Sequence, residues 1–187
     1  MPSFKKFGLF AAAVFALSAI GAANASAAQF TASATGTLSG KATATQVFTT
    51  NGGQVKCTTA ASSGEIKSTA SAEQTVEVKY SGCTAFGFVN THITPAQYNF
   101  TASGQAHVEN TITITPTGAG CSITIHPQTD TITKFTSIFP VVIYHTQKHL
   151  IAYTSSGGLC GSSGNNGTFT GTGEWSRVGG GSLSYDP

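Results

Sequence analysis

The chain has 187 residues with nine Lys or Arg against seven Asp or Glu, and charged side chains make up only 9% of it, compared with about 25% in an average globular domain. The entire excess of +2 sits on Lys5 and Lys6, without which the charges cancel at seven against seven. No basic cluster remains to support nucleic-acid binding or adhesion to an anionic membrane, both of which need concentrated positive charge.

Lys5 and Lys6 precede an apolar or small-residue run from Phe7 to Ile20, and both Ala23-Asn24-Ala25 and Ala25-Ser26-Ala27 fit the small-x-small pattern of signal-peptidase cleavage. Residues 1–27 therefore read as a cleaved secretory signal peptide. The run is shorter than the roughly 20 strongly apolar residues a membrane anchor needs, and no later stretch suits a span. The expected location is secreted, either extracellular or associated with the cell envelope, with no transmembrane segment after cleavage.

From there the periodicity is two. Phe30 to Leu38 alternates apolar or small residues with hydroxyls, Val76, Val78 and Tyr80 share a face, and so do Val108, Ile112 and Ile114. Cys121, Ile123 and Ile125 repeat the pattern, as do Phe169, Gly171, Gly173 and Trp175. Such alternation means strands with one wet and one buried face. Turn signals at Asn51-Gly52-Gly53, Ser63-Gly64, Ser81-Gly82, Ser103-Gly104, Thr117–Gly120, Ser155–Gly158 and Asn165–Gly167 punctuate the runs. Solubility rests on hydroxyls, Thr alone contributing 29 residues. The predicted fold is all-β: one antiparallel β-sandwich, Ig-like or jelly-roll-like, of about eight to ten strands over residues 28–178. The Gly-rich stretch 179–187 is expected to be a flexible tail.

All four cysteines, Cys57, Cys83, Cys121 and Cys160, follow the signal. An even count in an exported domain reads as two disulfides with three possible connectivities. Cys57–Cys83 with Cys121–Cys160 is favoured, because antiparallel neighbours keep sequence-near cysteines close.

Motifs with chemistry are few. His145 and His149 become cross-strand neighbours if the residues between them form a hairpin loop, but two ligands fall short of what a metal site requires; no metal or other cofactor is expected. No G-x-S-x-G elbow is present, and Glu73 and Glu77 share a strand face opposite Val76 and Val78, an ordinary solvated arrangement. Gly36 to Ala42 faintly echoes a phosphate loop yet reads better as strand, turn and next strand. Trp175, Tyr144 and Tyr153 form the candidate aromatic platform for a ligand, set against the reading that Trp175 is core.

Gly52 to Ala60 and Tyr80 to Phe88 are similar to segments of a group of uncharacterised secreted proteins of high-GC Gram-positive bacteria, a resemblance that extends through Cys121–Ile125 and the stretch from Tyr153 to Cys160. Members often carry a further cysteine pair between the second and third cysteines, where this chain has Thr94-Pro95 and Thr113-Ile114-Thr115. The resemblance implies a bacterial, secreted Thr/Gly-rich β-protein and brings no activity or site residue with it. The composition is also similar to that of neocarzinostatin-type chromophore carriers, although the cysteine spacings do not match. The functional expectation is a non-catalytic extracellular or envelope protein, structural or binding a cell-envelope glycan or a small apolar ligand. A secreted hydrolase with dispersed catalytic residues is the alternative.

Overall fold

The computed structural model describes residues 27–87, 89–131, 133–146 and 150–187. The signal-peptide assignment falls almost wholly outside them, as does His149. The fold is all-β, with every described strand pairing antiparallel. The described strands number seventeen, more than the alternation suggested. They are β1 (Gln29–Ala32), β2 (Gly36–Ala42), β3 (Gln46–Thr50), β4 (Gly53–Ile66), β5 (Ala70–Ser71), β6 (Glu73–Ala85), β7 (Val89–Ile93), β8 (Ala96–Thr101) and β9 (Gln105–Val108). After these come β10 (Ile112–Pro116), β11 (Ser122–Ile125), β12 (Gln128–Thr131), β13 (Thr133–Ile138), β14 (Val141–Thr146), β15 (Ile151–Ser156), a 3-10 turn at Gly158–Cys160, β16 (Gly164–Arg177) and β17 (Leu183–Asp186).

Three long strands, β4, β6 and β16, organise the molecule by serving two cores. At one end, the run β12-β9-β8-β6-β4-β2-β16-β14-β13 curls around a first core that includes Leu38, Val76, Phe100, Phe135, Trp175 and Leu183. Its outermost strands are consecutive in the chain, and the Thr133 amide donates to Gly104 O at 2.8 Å, drawing β13 to the turn between β8 and β9. At the other end, β3, β4, β6, β7, β10, β11, β15 and β16 pair in a closed circuit. It surrounds a second core of Phe48, Val55, Ile114, Ile123, Ile151 and Tyr153. Closure satisfies backbone groups that an open edge would leave bare.

The transfer between cores is visible in β4 and β6. Val55 and Cys57 point inward, then Thr58 and Thr59 are both exposed, and Ala60 and Ser62 resume the inward face. Opposite, Val76 and Val78 are inward, Ser81 and Gly82 both exposed, and Cys83 and Ala85 inward. The register is the same on either side, with Cys57 facing Cys83 and Ala60 facing Tyr80. Both strands therefore exchange faces across the same two rungs, Thr58 with Gly82 and Thr59 with Ser81. Gly82, at φ +59°, supplies the left-handed backbone that this requires and that a Cβ would oppose.

Both disulfides have the favoured pairing. Cys57–Cys83 joins directly opposed residues, with Cα atoms 4.0 Å apart, and Cys121–Cys160 ties β11 to the 3-10 turn at 5.7 Å.

Three local expectations are corrected. Residues 179–187 are not a flexible tail throughout: β17 pairs with β1 from Gln29↔Asp186 to Ala32↔Leu183, and Leu183 is 2% exposed in the first core. The strand was hidden behind three consecutive glycines. The Phe30–Leu38 run is two strands, β1 and β2, in different sheets, separated at residues 33–35. Gly36–Ala42 is one continuous strand with no internal turn.

Candidate functional site

A cavity of about 80 Å³ lies between the two cores. Its origin is the face exchange: at those two rungs Thr58, Thr59, Ser81 and Gly82 are all exposed, so neither long strand sends a side chain into the interior there. Cys57 and Tyr80, which flank the break, line the resulting space. β16 widens it. Gly171 and Gly173 occupy inward positions in phase with Trp175, and the places their Cβ atoms would take are filled by the Gln46 amide and the Tyr144 ring respectively.

The lining is apolar. Phe48, Phe100, Phe169 and Trp175 contribute rings, and isoleucines 112, 114 and 125 close the second-core side. The rings brace one another: Tyr144 and Trp175 have centroids 4.9 Å apart, and Phe100 meets Trp175 edge-on at 5.0 Å. Each such pair contributes about 0.5–1.5 kcal/mol beyond its area burial. No charged residue lines the space among the described residues.

The polar groups are mainly phenols. Tyr80 Oη and Tyr98 Oη are hydrogen-bonded at 3.0 Å, and Tyr144 stands on the same lining. Burial pushes the Tyr80 phenol well above the ordinary tyrosine range, with further contributions from nearby Tyr98 and Tyr144. Burial, followed by the proximity of Tyr98, raises Tyr144 in the same way. Tyr80 and Tyr144 therefore stay protonated and neutral at any physiological pH. The Gln46 side-chain amide is committed to the carbonyls of Ala44 at 2.8 Å and Thr172 at 3.0 Å, which pins β3 to β16.

The predicted platform does not form as an exposed surface. Trp175, Tyr144 and Tyr153 are 1%, 6% and 3% exposed, because their strand phase turns them inward. Trp175 and Tyr144 instead become walls of the cavity. Tyr153 belongs to the second core, where it meets Phe48 edge-on at 6.0 Å and its hydroxyl accepts from the Asn51 amide at 2.8 Å. His145 is exposed on β14, with Nδ1 3.4 Å from Thr172 Oγ1. Strand β14 pairs with β13 and β16 rather than β15, and His149 lies outside the described residues. Among the described residues no group of three or more His, Cys, Asp or Glu gathers to hold a metal ion. Glu73 and Glu77 lie on the exposed face of β6, with Glu73 accepting from Asn99 Nδ2 at 2.8 Å and Glu77 3.1 Å from Lys79.

A second, shallow depression of about 610 Å³ beside Cys121 is lined by His92, Thr115, Ser122, Ser156 and neighbouring glycines. It holds no Trp, Tyr or Phe on which a sugar could stack.

Tyr80, Tyr98, Phe100 and Gln46 were not singled out by the sequence. The signal that could have found the site is the inward Gly171-x-Gly173-x-Trp175 pattern, since small residues on a core-facing strand leave volume that something else must occupy. No family model matches the chain, and neither the curated proteins nor the solved structures contain a match to it.

Proposed function

We propose that this chain is a non-catalytic binding protein of the extracellular space or cell envelope that holds a small apolar ligand between its two cores. The observation that carries the reading is the apolar, uncharged cavity of about 80 Å³, several times the 10–15 Å³ that accommodates one water. Half-buried lining residues, Ile93, Thr146 and Phe169, provide its approach to the surface. Export is supported by the signal-like N-terminus and by two disulfides, which persist in oxidising compartments.

Trp175 is the only tryptophan in the chain and lines the cavity, so its emission reports occupancy directly. Titration of the oxidised protein with cyclohexane or benzene is expected to change that emission saturably. At a free concentration of 100 Kd the ligand adds about 2.7 kcal/mol of stability, which for a domain of this size raises Tm by roughly 5–10 °C. Unchanged emission together with unchanged Tm across both probes would refute the reading.

A further inference from the structure

Strands β4, β6 and β16 run past both cores, and long backbone ladders hold them together on that side of the cavity. Elsewhere the chain crosses between the cores through short connections. One of these leads from β11, in the second-core circuit, through Pro127 to β12, in the first-core run. Backbone pairing of β11 with β15 stops at Thr124↔Thr154. Extending that register would set His126 opposite Ala152, but Pro127 has no N–H and restricts the residue before it, and the chain turns away. A side chain serves Ala152 instead: its N–H donates to Gln128 Oε1 at 2.9 Å, and its carbonyl accepts from Gln128 Nε2 at 2.8 Å. The amide group makes the two bonds that a paired strand residue would exchange, and Nε2 also donates to His126 O at 3.2 Å.

This seam lies against the cavity. Ile125 precedes the crossing, Ile151 adjoins Ala152, and Val108 is the register partner of Gln128, and all three line the space. The half-buried Thr146 and Phe169 border the same end of β15, since β16 pairs with β14 as far as Thr146↔Gly171 and with β15 from Ile151↔Gly167. A second amide, that of Asn110, grips the crossing from β9 to β10, accepting from the Gln97 amide at 2.8 Å and donating to Pro95 O at 2.9 Å. There the backbone adds its own bonds, from Glu109 N–H to Gln97 O at 2.8 Å and from Thr94 N–H to Thr113 O at 3.0 Å. At Gln128 the bonds to β15 come from an exposed side chain, and segments held in this way open locally at the least cost. We infer, building on the ligand-binding reading above, that the seam between Gln128 and Ala152 is the port by which an apolar ligand reaches the cavity, and that the Gln128 amide is its latch. Opening it breaks two hydrogen bonds and leaves the ladders of β4, β6 and β16 intact.

The test measures benzene association and dissociation rates by NMR exchange on the oxidised protein, in wild type, Gln128→Met and Asn110→Leu. Gln128→Met keeps the reach of the side chain and removes both bonds to Ala152. Both rates are expected to rise together by about fivefold to thirtyfold, the worth of two net hydrogen bonds, with Kd unchanged. Asn110→Leu is expected to leave both rates at the wild-type values. Wild-type rates in Gln128→Met overturn the latch, while saturable benzene binding leaves the ligand-binding reading intact. Equal acceleration by Asn110→Leu also overturns it, because general loosening would then account for the effect. A rise in dissociation alone, read as a weaker Kd, would place Gln128 in support of the bound state and likewise overturn the inference. Failure of both benzene and cyclohexane to bind wild type overturns the reading and the inference together. Amide hydrogen exchange without ligand gives an independent check. In Gln128→Met the Ala152 amide is expected to exchange at least about fivefold faster while the amides of β6 keep their protection. A rise shared by β6 would mark global destabilisation and overturn the latch.

Discussion

Replacing Gly173 by Ala tests whether β16 is built to make room for Tyr144. Gly173 does not occupy the left-handed backbone region. With no neighbour in the way, alanine there would stabilise the fold by about 0.4–1 kcal/mol through the unfolded chain. A Cβ at this position would instead stand 2.6 Å from Tyr144 Cε1, with Cζ and Oη nearer still. Ordinary contact begins at 3.4 Å, so the ring has to retreat by at least about 0.8 Å, the difference between those two distances, against a close-packed interior. The Trp175 and Phe100 rings, with centroids 4.9 Å and 6.2 Å away, restrict where it can go. Overpacking of this kind costs about 1–3 kcal/mol, or roughly 2–12 °C in Tm for a domain of this size. The assay is thermal and guanidinium unfolding followed by Trp175 emission and far-ultraviolet circular dichroism. The same substitution in a Tyr144→Ala background should be neutral or slightly stabilising, giving a coupling of at least about 1 kcal/mol between the two positions. An equal cost in both backgrounds would refute the steric account, as would an unchanged Tm for Gly173→Ala alone.

Three further outcomes follow from features of the fold. Gly82→Ala places a side chain at φ +59° and against Thr58 Oγ1; it is expected to cost at least about 1–2 kcal/mol, and Thr58→Ala should restore only part of this because the backbone penalty remains, as denaturant midpoints of the single and double variants will show. Removing Cys121–Cys160, with a sequence separation of 39, should cost about 4 kcal/mol, and removing Cys57–Cys83, with a separation of 26, about 3.5 kcal/mol on the loop-entropy model. Equilibrium unfolding of the paired Cys→Ala variants measures both costs, and a reversed order would show that the entropy of the closed loops does not govern the ranking. Raised phenol values for Tyr80 and Tyr144 mean that the unfolded chain loses protons near pH 10 while the folded one retains them, so stability is held below about pH 10 and falls as pH rises above it. Tyr80→Phe should flatten that alkaline decline in a series of Tm measurements, and an unchanged slope would place the effect elsewhere.

The parts of the structure legible in the sequence were those governed by local alternation. Val76, Val78, Ile112, Ile114, Ile123 and Ile125 are buried as their period-two spacing requires, and the cysteine pairing followed from antiparallel neighbourhood. Glycine was the point of failure. Ser63-Gly64, Ser81-Gly82 and Asn165–Gly167 read as turns, yet all lie inside the long strands β4, β6 and β16. Gly64 is there because the Thr75 carbonyl passes close to it, and Gly82 because the ladder changes face. A glycine demanded by a distant neighbour has the same letter as one demanded by a turn, and only tertiary structure separates them. The cavity was hidden for the same reason. Trp175 and Tyr144 were candidates for an exposed platform and line an interior space instead, because whether aromatic side chains face solvent or a shared interior depends on which strands pair across the molecule.

The pairing of β1 with β17 clasps together segments that almost the whole domain separates in sequence. Leu183, the first residue of β17, belongs to the same core as Phe30 of β1. Without β17, Phe30 and its neighbours would lose that cover and β1 would present an open edge. Such an edge is prone to pair with other chains, so the clasp protects the first core and the sheet edge together.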